Sequence, residues 1–365
     1  MLYSIIVYAL ILFGTIFLFS KSVSNKRYSN TLTFLGLSFF SILVGCRWEV
    51  GTDYISYYEF ASGLYTYDFQ IDRLEPIPRY LAKLTSETSI PFYVWFIIMA
   101  FIQIYFLQKL LKKVYIPILS WGIFLFITMY LSEQMNIVRQ GAAICICLYA
   151  YTFIKEKQWF KYVLLIVLAS CFHKSALICL PFYFLGYINF TLSVPVQYLI
   201  FIVSSVISSV IIGYLMEKFA FVAAWISFDN NMDALKANQV QSKMGLGLGI
   251  IFYYIRYAIL IFYSPQLSKK YAKYGFDFYY MLLFIYMCIY SACFTNILLQ
   301  RVFLFFTYLN VIVLAFLYHY LYIQRKNDIS FLLLIILTIV QIVLYFYSGD
   351  SWEFIWNTHN YLDFK

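Results

Sequence analysis

Charge is the scarcest property of this sequence. Asp, Glu, Lys and Arg together make up 12% of its 365 residues, while 63% are hydrophobic. A soluble domain carries about 25% charged residues. So few polar side chains cannot cover a water-facing surface. That excludes a soluble globular protein and leaves a polytopic integral membrane protein of the all-α class. The signatures of nucleotide, metalloprotease and serine-hydrolase chemistry are missing too, with no GxGxxG, Walker loop, HExxH or GxSxG. Asp53 lacks the DxD spacing of a metal-dependent nucleotide-sugar transferase. The seven cysteines, Cys46, Cys145, Cys147, Cys171, Cys179, Cys288 and Cys293, sit in apolar runs without metal spacing. They read as small core or lipid-facing residues, so no disulfide framework, metal or cofactor is expected.

What is present is a succession of apolar runs. A spanning helix needs about 20 mostly apolar residues. Candidates lie near 2–20, 29–47, 90–110, 115–132, 137–154, 159–173, 174–190, 194–215, 245–263, 276–294, 302–322 and 329–347. The pair 159–173 and 174–190 is short for two spans and fits one broken or re-entrant hairpin. The expected architecture is a transmembrane helical bundle of about 12 spans. It forms a single membrane domain over 1–365, with outer loops 48–89 and 216–244 and an outer tail 348–365. No basic residue precedes the first run, and Lys21, Lys26 and Arg27 follow it. That order fits an uncleaved helix with its N-terminus outside, and the alternation then puts both termini outside.

The formal net charge of +9 is not a nucleic-acid signal, because its distribution follows the membrane. With 21–28 in the cytoplasm, the inner turns hold Lys21, Lys26, Arg27, Lys109, Lys112, Lys113, Lys155, Lys157, Lys161, Lys269, Lys270, Lys273, Arg325 and Lys326. Only Glu156, Asp277 and Asp328 accompany these cations. The asymmetry is what the positive-inside rule predicts. Long segments fall on the outer side and short ones on the inner, which places the work outside.

Several charged groups lie in or beside the runs. Arg47 ends the second run and Arg139 begins the fifth, in EQMNIVRQGAA. His173 and Lys174 sit at the 159–190 hairpin, Arg301 begins the eleventh run, and Arg256 is mid-run in IIFYYIRYAIL. Four of these sites share the outer boundary. An arginine near a helix centre costs about 2.5–3.5 kcal/mol on insertion scales, but near the interface it snorkels for less. Arg47 and Arg301 therefore read equally as interface anchors or as site residues. Arg139 is followed by Gln140, Gly141, Ala142 and Ala143, a small-residue face that permits close packing and points the arginine inward. Arg256 needs a buried partner or an anionic ligand. His173 reads either as a satisfied core residue or as a group in a helix break lining a cavity. Arginines converging on an outer cavity make an anion site, because the guanidinium fork matches phosphate oxygens. A lipid diphosphate is the natural anion there. Tyr54, Tyr57, Tyr58, Tyr65, Tyr67, Trp352 and Trp356 are available to stack on sugars, against the alternative of an interfacial aromatic belt.

The segment RWEVGTDYISYYEF resembles the R-x-x-VGTDY-x-x-Y block of the EpsG-like branch of Wzy-type polysaccharide polymerases. LEPIPRYLAKL, NIVRQGAAICICLYAY, LASCFHKSALICLPFYF and QRVFLFFTYLN resemble the later blocks, in the same order. The resemblance implies a metal-independent membrane glycosyltransferase that needs no cofactor. Its substrate would be an undecaprenyl-diphosphate-linked oligosaccharide at the outer face of the bacterial inner membrane. It would pass the growing glycan to the non-reducing end of an incoming lipid-linked unit. Membrane lipid and a chain-length regulator protein are the implied partners, and nucleic acid is not. Carried over by position, Arg47, Gly51, Thr52, Asp53, Tyr54, Glu75, Arg139, Gln140, His173 and Arg301 fall in the matching blocks.

Transfer through an oxocarbenium-like transition state needs a stabilised leaving group and a base on the acceptor hydroxyl. Arg139 and Arg301 are expected on the departing diphosphate, with Arg47 as a third cation. The base is His173, Asp53 or Glu75, in that order, because histidine is closest in pKa to the working pH. Asp53 also reads as a partner that pairs with Arg47 and fixes the loop, and Gly51 as the residue of a tight turn. The rival readings are a glycan ligase on the same donor, a flippase or transporter of lipid-linked glycan, and a membrane O-acyltransferase.

Overall fold

The computed structural model describes residues 2–51, 53–64, 74–188, 190, 192–204, 207, 248–293, 303–324, 329–347 and 353–354. Loop 216–244, most of the tail 348–365, and Thr52, Tyr65, Tyr67, Arg301, Trp352 and Trp356 lie outside them. Among the described residues the protein is helical, apart from one two-residue ribbon. The helices are α1 (Leu2–Ser24), α2 (Ser29–Gly45), α3 (Tyr54–Ser62), α4 (Pro76–Ser86), α5 (Tyr93–Tyr115), α6 (Leu119–Asn136), α7 (Val138–Lys155) and α8 (Trp159–Ser170). They continue with α9 (Val194–Ser204), α10 (Leu248–Tyr271), α11 (Phe276–Cys293), α12 (Asn310–Gln324) and α13 (Ile329–Tyr347). Two units divide the chain, Met1–Leu180 with Thr338–Lys365, and Pro181–Leu337.

Among the described residues, three helical stretches are long and apolar enough to cross a membrane: Leu2–Ser24, Tyr93–Asn136 and Phe303–Gln324. The second, at 44 residues, would run about 66 Å if straight, twice a hydrocarbon core of about 30 Å. It instead folds back at a 3-10 turn, Ile116–Ile118, that contains Pro117. Contacts to α2 establish the hairpin. Lys112 Nζ near the end of α5 donates to Thr33 Oγ1 at the start of α2, at 3.0 Å. Arg47 just beyond the end of α2 donates to Met135 O at the end of α6, at 2.9 Å. Apolar helices of 10–17 residues, Ser29–Gly45, Trp159–Ser170, Val194–Ser204, Phe276–Ile289 and Ile329–Val343, complete the set. This is the pattern of an integral membrane protein.

In the first unit α1 packs on α2 and α6, α2 on α5, α5 on α7, and α7 on α8. Helix α7 is the centre, with Ala142, Ala143, Ile144, Cys145, Ile146 and Cys147 all fully buried. Small residues permit the closest crossings. A Cβ on Gly45 would lie 2.6 Å from both Cα and N of Ile97, so α2 and α5 meet backbone to backbone there. Gly45→Ala is expected to lower stability by about 1–3 kcal/mol, because backbone has to move. Gly14→Ala meets only the ring edge of Phe39, which can turn away, and should cost less. Thermal unfolding of the two purified variants in detergent checks the order.

The 159–190 region is broken, as the sequence suggested. Helix α8 has 12 residues, about 18 Å, too short to cross alone. After a turn it gives way to a 3-10 segment, Lys174–Tyr187, which contains Pro181. Within the first unit Tyr162 donates to Cys179 O and Tyr151 to Cys179 Sγ at 3.3 Å, tying the start of that segment to α7 and α8.

The two ends of this unit differ in charge. At one end are Lys21, Lys26 and Arg27, together with Lys112, Lys113 and Lys155. There Lys113 pairs with Glu156 at 3.0 Å, joining the ends of α5 and α7. At the other end are Arg47, the start of α7 and the start of the Lys174–Tyr187 segment.

In the second unit α10, α11 and α12 pack on one another around hydrogen-bonded tyrosines. Tyr257 donates to Asn310 Oδ1 at 2.9 Å, Tyr253 to Met287 O at 2.9 Å, and Tyr280 to Gln197 Oε1 at 2.5 Å. Each polar tip buried in an apolar layer thus has a partner.

Candidate functional site

The segment after α2 turns sharply, and its residues explain how. Gly51 has φ +103°, and a Cβ there would meet Asn136 Oδ1 at 2.5 Å. Both the left-handed backbone and the close approach require glycine. The turn feeds α3, in which Tyr54, Tyr57, Phe60 and Ala61 are buried. That spacing marks one apolar helical face. Gly63, with φ +76°, ends the helix through its N–H to Glu59 O. Helix α4 begins with Pro at its first position, after Glu75 in extended conformation. It buries Pro78, Ala82 and Thr85 and exposes Tyr80 and Lys83. What reads in sequence as an outer loop over 48–89 therefore contains two short docked helices.

Arg47 is 2% exposed. Its Nε donates to Val50 O at 3.2 Å, Nη1 to Val44 O at 2.9 Å and Nη2 to Met135 O at 2.9 Å. The guanidinium also lies 4.9 Å from the Phe96 ring centroid. This arrangement makes Arg47 a brace between the end of α2, the turn and the end of α6. The strand Arg47–Trp48 pairs antiparallel with Glu353–Phe354. Tyr54 is 1% exposed and stacks on Phe96 at 5.0 Å, which places its ring in the interior. Asp53 is half-buried at the start of α3.

The polar centre of this end is Glu75. Its Oε2 accepts from Arg139 Nη1, in an ion pair between a buried carboxylate and a half-buried guanidinium. Its Oε1 accepts the backbone N–H of Lys174 at 3.2 Å. The Ile77 N–H donates to Cys171 O at 3.1 Å. Residues from α4, α7 and the break after α8 are thereby joined through one carboxylate. His173 is the next residue along, half-buried, with Nδ1 2.6 Å from Ser175 Oγ. The Arg139 Cζ lies 5.9 Å from the Tyr57 ring centroid. Tyr57 stacks on Trp95 at 5.3 Å, and Trp95 Nε1 donates to Pro78 O at 3.2 Å. Among the described residues, the buried Nε of Arg139 meets no acceptor.

The structure thus brings together Glu75, Arg139 and the His173–Lys174 break, three of the sequence-derived elements. Gln140 is buried beside them on α7. Arg256 is in the second unit, buried in α10. Arg301 and Thr52 fall outside the described residues. Sequence reasoning did not assign Tyr57 to Arg139 or give Trp95 a role. The spacing of Tyr54, Tyr57 and Phe60 was the available signal for a helix whose face turns inward. Among the described residues, no three His, Cys, Asp or Glu side chains gather as metal ligands would.

A first unit of apolar helices, basic at one end and carrying the Arg139–Glu75 pair at the other, defines a polytopic membrane protein with a polar centre. The EpsG family model matches residues 30–360, and the chain belongs to the EpsG family. No curated protein matches it significantly. No solved structure does so either.

Proposed function

We propose that the protein polymerises undecaprenyl-diphosphate-linked oligosaccharide repeat units at the outer face of the bacterial inner membrane. It transfers the growing glycan to the non-reducing end of an incoming lipid-linked unit. Its family is linked to polysaccharide synthesis, which supports the substrate class. The observation that carries the reading is the junction of Arg139, Glu75 and the His173–Lys174 break, at the end of the unit opposite the lysines. A diphosphate held at Arg139 would find the guanidinium fork matched to its oxygens, with the unmatched Nε as a further donor.

In the transfer, the bond from the sugar anomeric carbon to the diphosphate oxygen breaks, and its electron pair leaves with the lipid diphosphate. The acceptor hydroxyl oxygen forms the new bond to that carbon and gives up its proton. Arg139 stabilises the charge that develops on the leaving oxygen. His173 takes the proton. For Nε2 to do so, Nδ1 must carry hydrogen and donate to Ser175 Oγ, 2.6 Å away, giving up the 3.4 Å bond that it accepts from the Ser175 N–H. Glu75 is engaged on both oxygens, which suits it to holding Arg139 better than to accepting a proton. Arg47 serves as the brace of the turn.

Reconstitution with a purified lipid-linked repeat unit tests the reading, with wild type expected to form a ladder of products. His173→Ala should lower the rate about 10²–10⁴-fold without lowering the unfolding temperature. A wild-type protein that yields no ladder refutes the polymerase. A ladder from wild type and an equal one from His173→Ala removes the histidine from the mechanism.

A further inference from the structure

The lysine-rich end of the first unit carries charge that the proposed transfer does not use. Helix α5 runs into it with Phe101, Tyr105, Lys109 and Lys113 at i, i+4 spacing, one stripe that passes from aromatic to cationic. Phe101 stacks on Tyr105 at 5.8 Å, and Lys109 Nζ lies 4.7 Å from the Tyr105 centroid. Helix α7, packed on both α5 and α8, adds Tyr149 and Phe153, whose rings meet edge to face at 5.5 Å. Lys113 reaches Phe153 from α5, with Nζ 3.5 Å from the ring centroid. Lys161 reaches the same ring from α8, at 5.7 Å. Ammonium groups from two helices are thus gathered about one buried side chain, each held by its attraction to the ring.

The cluster carries more positive charge than its one acid offsets. Glu156 pairs with Lys113 at 3.0 Å, while Lys109, Lys157 and Lys161 are exposed around it. From Tyr93 to Ser170 the other acid is Glu133, at the far end of α6. An anion is therefore the complement of this surface. What lies beside the lysines says which kind. Trp159 and Phe160, next to Lys161, are 62% and 65% exposed, and Leu164 and Val167 continue an exposed apolar side along α8. Tryptophan beside lysine at the end of an apolar helix is the composition of a bilayer interface, where lysine stems lie in the apolar layer and hold their charge at headgroup depth. A soluble anion would leave the apolar side chains uncovered. A phosphate that carries acyl chains covers both parts.

We propose that the Lys109, Lys113 and Lys161 cluster binds the headgroup of an anionic diacyl phospholipid, whose chains lie along the exposed Leu164 and Val167 side of α8. Lys109 and Lys161 supply the charge that no acid among the described residues offsets, and Lys113, tied to Glu156, keeps α5 and α7 in register beneath them. Basic pockets between membrane helices hold anionic headgroups in this way. A zwitterionic headgroup brings its own ammonium up to the lysines and binds less well. The site stands at the opposite end of the unit from Glu75 and Arg139, so it does not rest on the polymerase reading.

The test titrates the purified full chain in detergent with phosphatidylglycerol or with phosphatidylcholine of the same acyl chains, and counts bound lipid by native mass spectrometry. Phosphatidylglycerol should bind saturably to wild type and about tenfold or more tightly than phosphatidylcholine. The double variant Lys109→Gln with Lys161→Gln should weaken phosphatidylglycerol about 30-fold, the effect of two lysines near an anionic surface, and leave phosphatidylcholine unchanged. It spares the Lys113–Glu156 pair, so its unfolding temperature without added lipid should match wild type. Lys109→Arg with Lys161→Arg should keep the binding. A control, Lys21→Gln with Lys26→Gln, removes the same charge elsewhere at that end and should lose less than about threefold. Equal binding of the two lipids to wild type overturns the proposal. So does an equal loss in the control, since the attraction is then one of net charge and not of this cluster. Displacement of the lipid by an equal concentration of glycerol 3-phosphate overturns it as well, because the acyl chains then contribute nothing.

Discussion

Arg139→Ala is expected to abolish the product ladder, with kcat falling about 10²–10³-fold, the usual effect of removing one donor from a developing anion. The substitution does two things at once, and they can be separated. It takes charge stabilisation from the leaving diphosphate, and it leaves Glu75 buried without its cation. Breaking a fully buried pair from one side costs about 3–5 kcal/mol; here the cost is smaller, because the Arg139 side is half-buried and the Lys174 N–H remains to Glu75. A variant that also carries Glu75→Gln removes the stranded charge. The double variant should regain most of the lost stability and none of the lost rate, because neighbouring groups of one pair are not additive. Arg139→Lys keeps the charge but not the fork, and should fall between the two in rate. A ladder of wild-type length and rate from folded Arg139→Ala would remove this residue from the mechanism. The measurements are single-turnover rates and thermal unfolding of the same preparations.

Arg47→Ala should produce the opposite pattern, a large loss of stability with activity falling only as folded protein falls. Three carbonyls, those of Val44, Val50 and Met135, depend on its guanidinium. A hydrogen bond to a charged group contributes about 1.5–3 kcal/mol, and a buried acceptor left unmade costs a similar amount. The expected loss is therefore several kcal/mol, enough to lower the unfolding temperature by many degrees. Lysine cannot substitute, because one ammonium has no planar spread of donors to reach three carbonyls on separate segments. Arg47→Lys should be nearly as unstable as Arg47→Ala. An Arg47→Ala protein that unfolds at the wild-type temperature but makes no ladder would put this side chain in the reaction instead of the scaffold.

The contrast between these two arginines shows what the sequence could tell and what it could not. Both stand at the outer edge of an apolar run, so hydropathy and the positive-inside pattern mark them alike. The lysine clusters gave an expected sidedness, and the small-residue run after Arg139 pointed it inward, next to the polar group it meets. Nothing local distinguishes an arginine that braces carbonyls from one that holds a carboxylate, since that depends on which backbone comes near. Glu75 was placed among the candidates by its block, but its pairing with Arg139 spans 64 residues and leaves no pattern to read. The break after α8 was legible because two short apolar runs met at His173 and Lys174. Helices α3 and α4 were missed because each is shorter than a membrane span. The search for about 20 apolar residues passes over them, although the spacing of Tyr54, Tyr57 and Phe60 carried the helical period.

The ribbon that pairs Arg47–Trp48 with Glu353–Phe354 joins stretches roughly 300 residues apart. A ribosome makes about 5–20 residues per second, so the early strand waits some tens of seconds for its mate. During that interval the rim beside the Arg47 brace is open on one edge. Its unpaired backbone groups are exposed to water or to other nascent chains. Maturation of this end is therefore among the last events of biogenesis, after the apolar helices have been threaded into the bilayer.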